Sequence, residues 1–383
     1  MLRRCSRVGM SPSAMNLLRD ELVPATDWIA LLDAALDHGV LPLVHRHLNA
    51  LARQHENVIP EWVIEQLRTA HQGMAARSLL LTAELRRVVS ALAGASIPAL
   101  PYKGPTLAAL VYGDVALRQY IDLDILVSLR EFDAARDTMA LLGYAPEHAM
   151  SATRARRFSS SGHEESFVSQ TAKVELQWRL ADAYYGANAS FDEMWPGRRS
   201  MTIAGADVMT LGAEDLLLAL CVHGNTHMWN RLIWIADVAE LLRRSSESST
   251  ITLDWDRVRE VAHQAHSSRR VRLGVALARD ILDAPLPPAA HRWINTDPAI
   301  PRLVAIVEKE LMGHSSRTFT FGFHVRSSDT VSHGIRVAFH ALFTPMQEDA
   351  TYLPLPDRLR AFYRVVRPIR LLLKAVAAVR RRR

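Results

Sequence analysis

A chain of 383 residues with 49% hydrophobic side chains has material for two or three packed domains. Lys and Arg number 46 against 40 Asp and Glu, yet ten of those basic residues and no acid fall in 358–383, so the remainder is slightly acidic at 36 against 40. The positive charge is a local tail, which gives no argument for a general nucleic-acid-binding face; Cys5 and Cys221, far apart and outside any CxxC, exclude a disulfide framework and a zinc ribbon.

No continuous apolar h-region follows the basic start MLRRCSRVGM, and nowhere do 18 apolar residues run uninterrupted. The expectation is a cytoplasmic protein with neither secretion signal nor membrane span. Residues 1–95 read as an N-terminal helical region: apolar positions recur at three and four in WIALLDAALDHGVLPLVHRHL, PEWVIEQLRTAHQGM and RSLLLTAELRRVVSALAG. Pro60 starts a helix and Gly94 stops one.

Residues 96–210 read as a small β-bearing core. SIPALPY, with two prolines, predicts a short or edge strand. Lys103-Gly104-Pro105 then opens a helix of about two turns to Tyr112, closed by Gly113. Free N–H groups at a helix start, with the Lys103 ammonium beside them, suit phosphate, so Lys103 and Gly104 are candidate nucleotide-binding residues. Arg118 either reaches the same pocket or pairs with a carboxylate. In YIDLDILV, Asp122 and Asp124 share one strand face, with Ile121, Leu123, Ile125 and Val127 on the other. Two aligned acids suit Mg²⁺, a hard cation that takes one or two carboxylates plus waters and substrate phosphates.

A helix follows from Glu131 to Leu142. The segment TRARRFSSSGHEES is polar and basic, after which residues 163–169 and 173–179 predict a hairpin. In KVELQWR the Val174, Leu176, Trp178 face is apolar and Glu175 lies on the other. Glu175 is the candidate third carboxylate if this strand lies beside the Asp-x-Asp strand; Glu164 and Glu165 compete for the role.

Residues 211–345 read as a helical substrate-side domain. GAEDLLLALCVHGNTHMWNRLIWIADVAELLRR is strongly periodic, with His223 and His227 four apart. That spacing can bind zinc, but the protease signature needs Glu at 224, where Gly stands, so a structural pair or a substrate-cleft lining is the reading. Asp237 on the same run is a candidate contact to substrate or base. TFTFGFHV reads as a β-prone connector. Residues 346–383 form a basic tail or helix that docks with a solvated end, or makes weak contact with an anionic membrane surface or RNA.

The blocks LPYKGPTLAALVYGDVALRQYIDLDILV, KVELQWRL, EDLLLALCVHGNTHMWNRLIWIADVAELL and ALFTPMQEDATYLPLPDRLRAFYRVVRPIRLL together resemble, in that order, a poorly characterised bacterial nucleotidyltransferase family of the DNA polymerase β-like superfamily. The resemblance implies an α+β fold: a small mixed β-sheet nucleotidyltransferase core bearing the metal site, flanked by N- and C-terminal helical regions. It implies Asp122, Asp124 and Glu175 as ligands of catalytic Mg²⁺. Lys103-Gly104 would stand where the superfamily has a Gly-Ser phosphate turn, and Gln177 where relatives commonly carry His.

The expected reaction is nucleotidyl transfer of the EC 2.7.7 type, from an NTP such as ATP to an acceptor with release of pyrophosphate. Two Mg²⁺ ions, with Mn²⁺ as a substitute, would align the oxygens, and Glu175 would ligate one ion or take the acceptor's proton. The acceptor is open among small molecules, a polysaccharide precursor, protein and tRNA. Rival readings are a non-catalytic nucleotide-binding or regulatory module of the same fold, and an Asp-x-Asp metal-dependent glycosyltransferase. The glycosyltransferase needs alternating strands and helices upstream, where this chain is helical.

Overall fold

The computed structural model describes all residues except 24, 56, 149–161, 183–184, 188, 248–249, 312–319, 345–348, 350–351, 354 and 381–383. The basic segment from 153 to 161 therefore lies outside the described residues. Helices carry the chain to residue 94. Gly39, left-handed at φ +73°, divides the first periodic run into Trp28–Asp37 and Leu41–Gln54. The next two runs fuse through Gly73 into one helix, Glu61–Gly94, of 34 residues.

That long helix is the floor on which the sheet is built. Strands β1 (Ala99–Pro101), β2 (Asp122–Val127), β3 (Ala145–Pro146), β4 (Glu164–Val168) and β5 (Lys173–Gln177) pair in the order β1-β2-β5-β4-β3. The β2–β5 pair is parallel and the others are antiparallel, giving a mixed sheet in an α+β chain. Parallel pairing requires a crossover, which the Phe132–Leu141 helix and the β3–β4 excursion provide.

One face of the sheet is apolar because alternate residues point the same way. Leu123, Ile125 and Val127 of β2, with Val174 and Leu176 of β5, pack on Leu81, Leu85, Val88 and Leu92 of the long helix and on Met139. Each such fully buried aliphatic side chain contributes about 1.5–3 kcal/mol. Ile121 departs from expectation. It precedes the first ladder residue and is 70% exposed, so the apolar face of β2 begins at Leu123.

A second hairpin, β6 (Arg199–Ile203) with β7 (Ala206–Thr210), turns through Ala204 and Gly205, both at positive φ. The alternation in RSMTI and ADVMT around an Ala-Gly turn is a hairpin signal that the reading above passes over. It docks against β1, where Thr210 Oγ1 donates to the Pro101 carbonyl at 2.7 Å.

The 212–244 run is two helices, Ala213–Thr226 and Leu232–Glu247, broken where Met228 and Trp229 take φ of +55°. The break folds the fully buried Trp229 indole back onto Gly224, where an added Cβ would lie 2.4 Å from the ring. Packing thus explains why glycine stands between the two histidines. Two further helices follow, Trp255–Gln264 and Ser268–Leu282. In TFTFGFHV, whose first two residues lie outside the described residues, the β-prone expectation is corrected from residue 320 onward: Thr320–Arg326 is α-helical and packs on the following helix, Val331–Phe343. A last helix, Tyr363–Arg380, contains Pro368. Among the described residues no helix is long and apolar enough to cross a membrane.

Two glycine substitutions separate packing from propensity. Gly224→Ala is expected to cost about 1–3 kcal/mol by overpacking Trp229. Gly73→Ala, exposed with nothing within 4 Å of the added methyl, is expected to stabilise by about 0.5–1 kcal/mol. Urea unfolding of both variants measures the two shifts, which have opposite signs.

Candidate active site

The face of the sheet turned away from the long helix carries Asp122 and Asp124 of β2, Lys173, Glu175 and Gln177 of β5, and Glu164 of β4. The parallel register sets Asp124 directly beside Glu175, and Asp122 beside Lys173. Across the antiparallel ladder Glu164 stands opposite Gln177. Glu165, one residue on, points to the other face and pairs with Arg136 at 2.9 Å. Of the two competing acids, therefore, Glu164 shares the site and Glu165 does not.

Buried polar groups knit this face together. Lys103, 8% exposed, donates from Nζ to Asp124 Oδ1 at 2.7 Å. Gln177 Nε2 donates to the same oxygen and to Glu164 Oε2, both at 3.0 Å, while its Oε1 accepts from the Tyr102 hydroxyl at 2.6 Å. The amide at 177 thereby uses both N–H donors on two carboxylates and its carbonyl on a third partner. His163 lies 3.1 Å from Glu164 Oε2 and 2.8 Å from Asp182 Oδ1. Lys173 Nζ is 3.1 Å from both Glu175 and Glu147.

The charges are unequally compensated. Burial, with the neighbouring Asp124, raises the Asp122 pKa above the ordinary carboxylate range. Burial and the charges of Asp124, Glu164 and Asp122 push Glu175 up to about 8. Glu164 behaves oppositely: burial alone would raise it, but the His163 hydrogen bond and charge outweigh that and bring it to about 2. His163 answers in kind, because Asp182 and Glu164 overcome the burial that would lower it and set it near 9. The Lys103 ammonium, despite burial, is held above its usual range by Asp124.

These residues fit a hard divalent cation. Asp122, Asp124 and Glu175 are all oxygen donors on one face of adjacent strands, and their excess negative charge is what a cation relieves. Among the described residues, no group of three or more His, Cys, Asp or Glu side chains is set closely enough to hold a metal ion by itself, so a cation here would draw further oxygens from water and substrate. An open carboxylate site of this kind leaves coordination positions to water and substrate oxygens.

The Lys103–Gly104 turn takes a specific shape. Gly104 sits at φ +55°, where an added Cβ would lie 3.2 Å from the Asp122 carbonyl, so glycine lets the Lys103 turn approach β2 closely. The helix Gly104–Leu107 continues as a π-turn, Ala108–Tyr112, and ends at Gly113, left-handed at φ +77°. The π-turn has no signal in the periodicity.

Arg118 takes the second of its two expected alternatives. It is 6% exposed and grips Asp237 through two bonds, Nε to Oδ1 at 2.7 Å and Nη2 to Oδ2 at 2.8 Å. The Tyr112 hydroxyl donates to the same carboxylate at 2.7 Å. Asp237, 1% exposed, is therefore committed to a buried network linking the π-turn to the Leu232–Glu247 helix. His223 and His227 do meet: their rings lie 4.7 Å apart, and both contact Trp234. Burial and the positive charge of Lys103 lower the pKa of both, bringing His227 to about 4, so the pair stays neutral near the carboxylates. Tyr102, Lys173 and the His163–Asp182 pair were not singled out from sequence. Lys173 was legible from its place two residues before Glu175; the others are joined only by the tertiary fold.

Two expectations follow. Glu175 has a folded pKa above its unfolded value, so its contribution favours the fold below the unfolded pKa and is lost as pH rises through about 8. In EDTA, the Tm of Glu175→Gln should therefore gain on that of wild type between about pH 5 and about pH 8; a constant difference contradicts the charge assignment. Arg118→Met should cost about 3–5 kcal/mol by stranding Asp237, with partial recovery when Asp237→Leu is added. Unchanged stability with weakened nucleotide binding would instead make Arg118 a ligand.

Comparison with curated proteins returns no match. The sequence profile of a family described as uncharacterised nucleotidyltransferase matches residues 24–283, a span that contains the whole sheet, the Lys103 turn and both histidines. With more than half of its length matched, and with the acidic sheet face lying inside that match, the chain belongs to this family of nucleotidyltransferases.

Proposed function

We propose that the protein is a Mg²⁺-dependent nucleotidyltransferase of the EC 2.7.7 type, which moves NMP from an NTP to an acceptor and releases pyrophosphate. The observation that carries this reading is the register of Asp122 and Asp124 beside Glu175 across a parallel strand pair. Mg²⁺ held by these three carboxylates, one ion or two, would supply charge neutralisation and in-line alignment of phosphate oxygens.

The chain's own groups do the rest. An acceptor oxygen attacks the α-phosphorus, the bond from that phosphorus to the β-bridging oxygen breaks, and pyrophosphate departs. Glu175 would either ligate an ion or take the acceptor's proton. Lys103 fixes Asp124 and is the cation next to the phosphates at the Gly104 turn. Gln177, held by Tyr102, sets the angle of Asp124. The neutral His223, His227 and Trp234 rings, set edge-to-face and tilted against one another, offer an uncharged aromatic wall for a substrate.

A second reading has one observation in its favour. The Lys103 ammonium already neutralises Asp124, as suits a nucleotide-binding module that performs no transfer. One experiment separates the two. Wild type and the Asp122→Asn/Asp124→Asn double variant are incubated with each α-labelled NTP, Mg²⁺ and a lysate split into RNA, protein and small-molecule fractions. Transfer predicts label in one fraction with wild type only, and a loss of at least about 100-fold in the double variant. Carboxylate-dependent NTP binding without labelled product supports the binding module. Equal labelling by both proteins overturns the site.

A further inference from the structure

Beyond residue 283, where the family match ends, the polarity of the surface changes. Among the described residues, half of the large apolar side chains that are exposed fall within residues 331–373. Singly scattered exposed hydrophobics are ordinary, whereas a concentration marks a contact surface. Here they form stripes. Val331, Ile335 and Phe339 recur at four-residue spacing on the Val331–Phe343 helix and are 59–81% exposed. Val365, Ile369 and Leu372 repeat at four and three on the Tyr363–Arg380 helix, 53–65% exposed, and the two helices pack on each other.

The last helix is turned inside out. Its arginines at 367 and 370 are buried, bonded to the fully buried Asp349 at 3.3 and 2.7 Å, while Val365, Ile369, Leu372 and Leu373 face outward. On the Val331–Phe343 helix the inward face carries His333, which meets the Tyr185 carbonyl at 2.9 Å. Fixing polar groups inward in this way prevents either helix from rolling its apolar stripe into the core. Exposed Arg364 and Lys374 flank the outward stripe, and four consecutive arginines occupy 380–383 in the sequence, with no acid anywhere in 358–383.

We propose that these two helices form a docking surface for an anionic phospholipid bilayer, with the aliphatic stripe entering the headgroup–acyl boundary and the flanking cations engaging lipid phosphates. The charge pattern selects this occupant. A second copy of the chain, packed face to face, would set Arg364 and Lys374 against like charges without an acid to offset them. RNA would call for several stacking surfaces, and the two stripes carry a single aromatic ring, Phe339, among aliphatic residues. No described helix is long and apolar enough to cross a membrane, and Lys374 interrupts the apolar run of the last one, so the element lies in the interface and does not span it. The proposal is independent of the nucleotidyl-transfer reading, since none of its residues touches the carboxylate face.

Flotation of the full chain with vesicles tests it. Vesicles of phosphatidylcholine alone are compared with vesicles containing about 30% phosphatidylglycerol, at salt rising from about 0.1 to about 0.5 M. Binding is expected to the anionic vesicles, weakening with salt. Ile369→Asp/Leu372→Asp should lower the bound-to-free ratio by about tenfold or more, and replacing Arg364, Lys374 and Arg380 to Arg383 by Gln by a similar factor. Leu141→Asp, at an 89% exposed site on a different helix, should leave it unchanged. Circular dichroism and Tm establish that each variant is folded. Failure to float with anionic vesicles, equal loss from Leu141→Asp, or a wild-type dimer in light scattering that the 369/372 variant dissolves would each overturn the proposal.

Discussion

The contact between the Lys103 ammonium and Asp124 holds the acidic sheet face together. Asp122, Asp124, Glu164 and Glu175 crowd onto one side of three adjacent strands, where burial removes water that would otherwise screen them. A carboxylate left uncompensated in such a place costs on the order of 3–5 kcal/mol. Lys103 reaches it from the turn after β1, so the same interaction that neutralises Asp124 also clamps the turn to the sheet. Glycine at 104 is what permits that closeness: φ +55° and the nearby Asp122 carbonyl leave no room for strain-free side chains.

Around that contact the polar groups are arranged as a chain of partners. Tyr102 orients Gln177, Gln177 bridges Asp124 and Glu164, and Glu164 leads through His163 to Asp182. A site whose first residues are fixed by such partners needs little reorganisation when charge develops within it. The division of protons along the chain is also informative. His163 and Glu164 hold each other charged, while burial and the crowding of like charges make Asp122 and Glu175 hold protons more readily than ordinary carboxylates.

Arg118, Asp237 and Tyr112 perform the corresponding mechanical task below the surface. Their three hydrogen bonds tie the end of the π-turn to the Leu232–Glu247 helix, which also carries Trp234 against the two histidines. The turn that bears Lys103 is thus anchored at both ends: by Asp124 at its start and by Asp237 at its close. The C-terminal helices follow a different logic. There buried Arg367 and Arg370 are bonded inward to Asp349, and Val365, Ile369 and Leu372 are left outside.

Sequence alone determined the long-helix boundaries at Pro60 and Gly94, the Asp-x-Asp strand and the hairpin carrying Glu175, because each depends on local periodicity or on a residue that breaks it; the α+β class followed from the family resemblance. It also established that Asp122 and Asp124 share a face, since the two-residue period of a strand admits nothing else. The tertiary structure decided what periodicity cannot encode. That Asp124 meets Glu175 follows from a parallel register set across fifty residues of intervening chain. Ile121 is exposed because the ladder starts one residue later, and Arg118 pairs with Asp237 because a distant helix packs there. Periodicity also joined runs that the fold breaks at Gly39 and Trp229, where left-handed backbone is stabilised by contacts with remote residues. Local chemistry chose which groups can act, and only long-range packing brought them to one another.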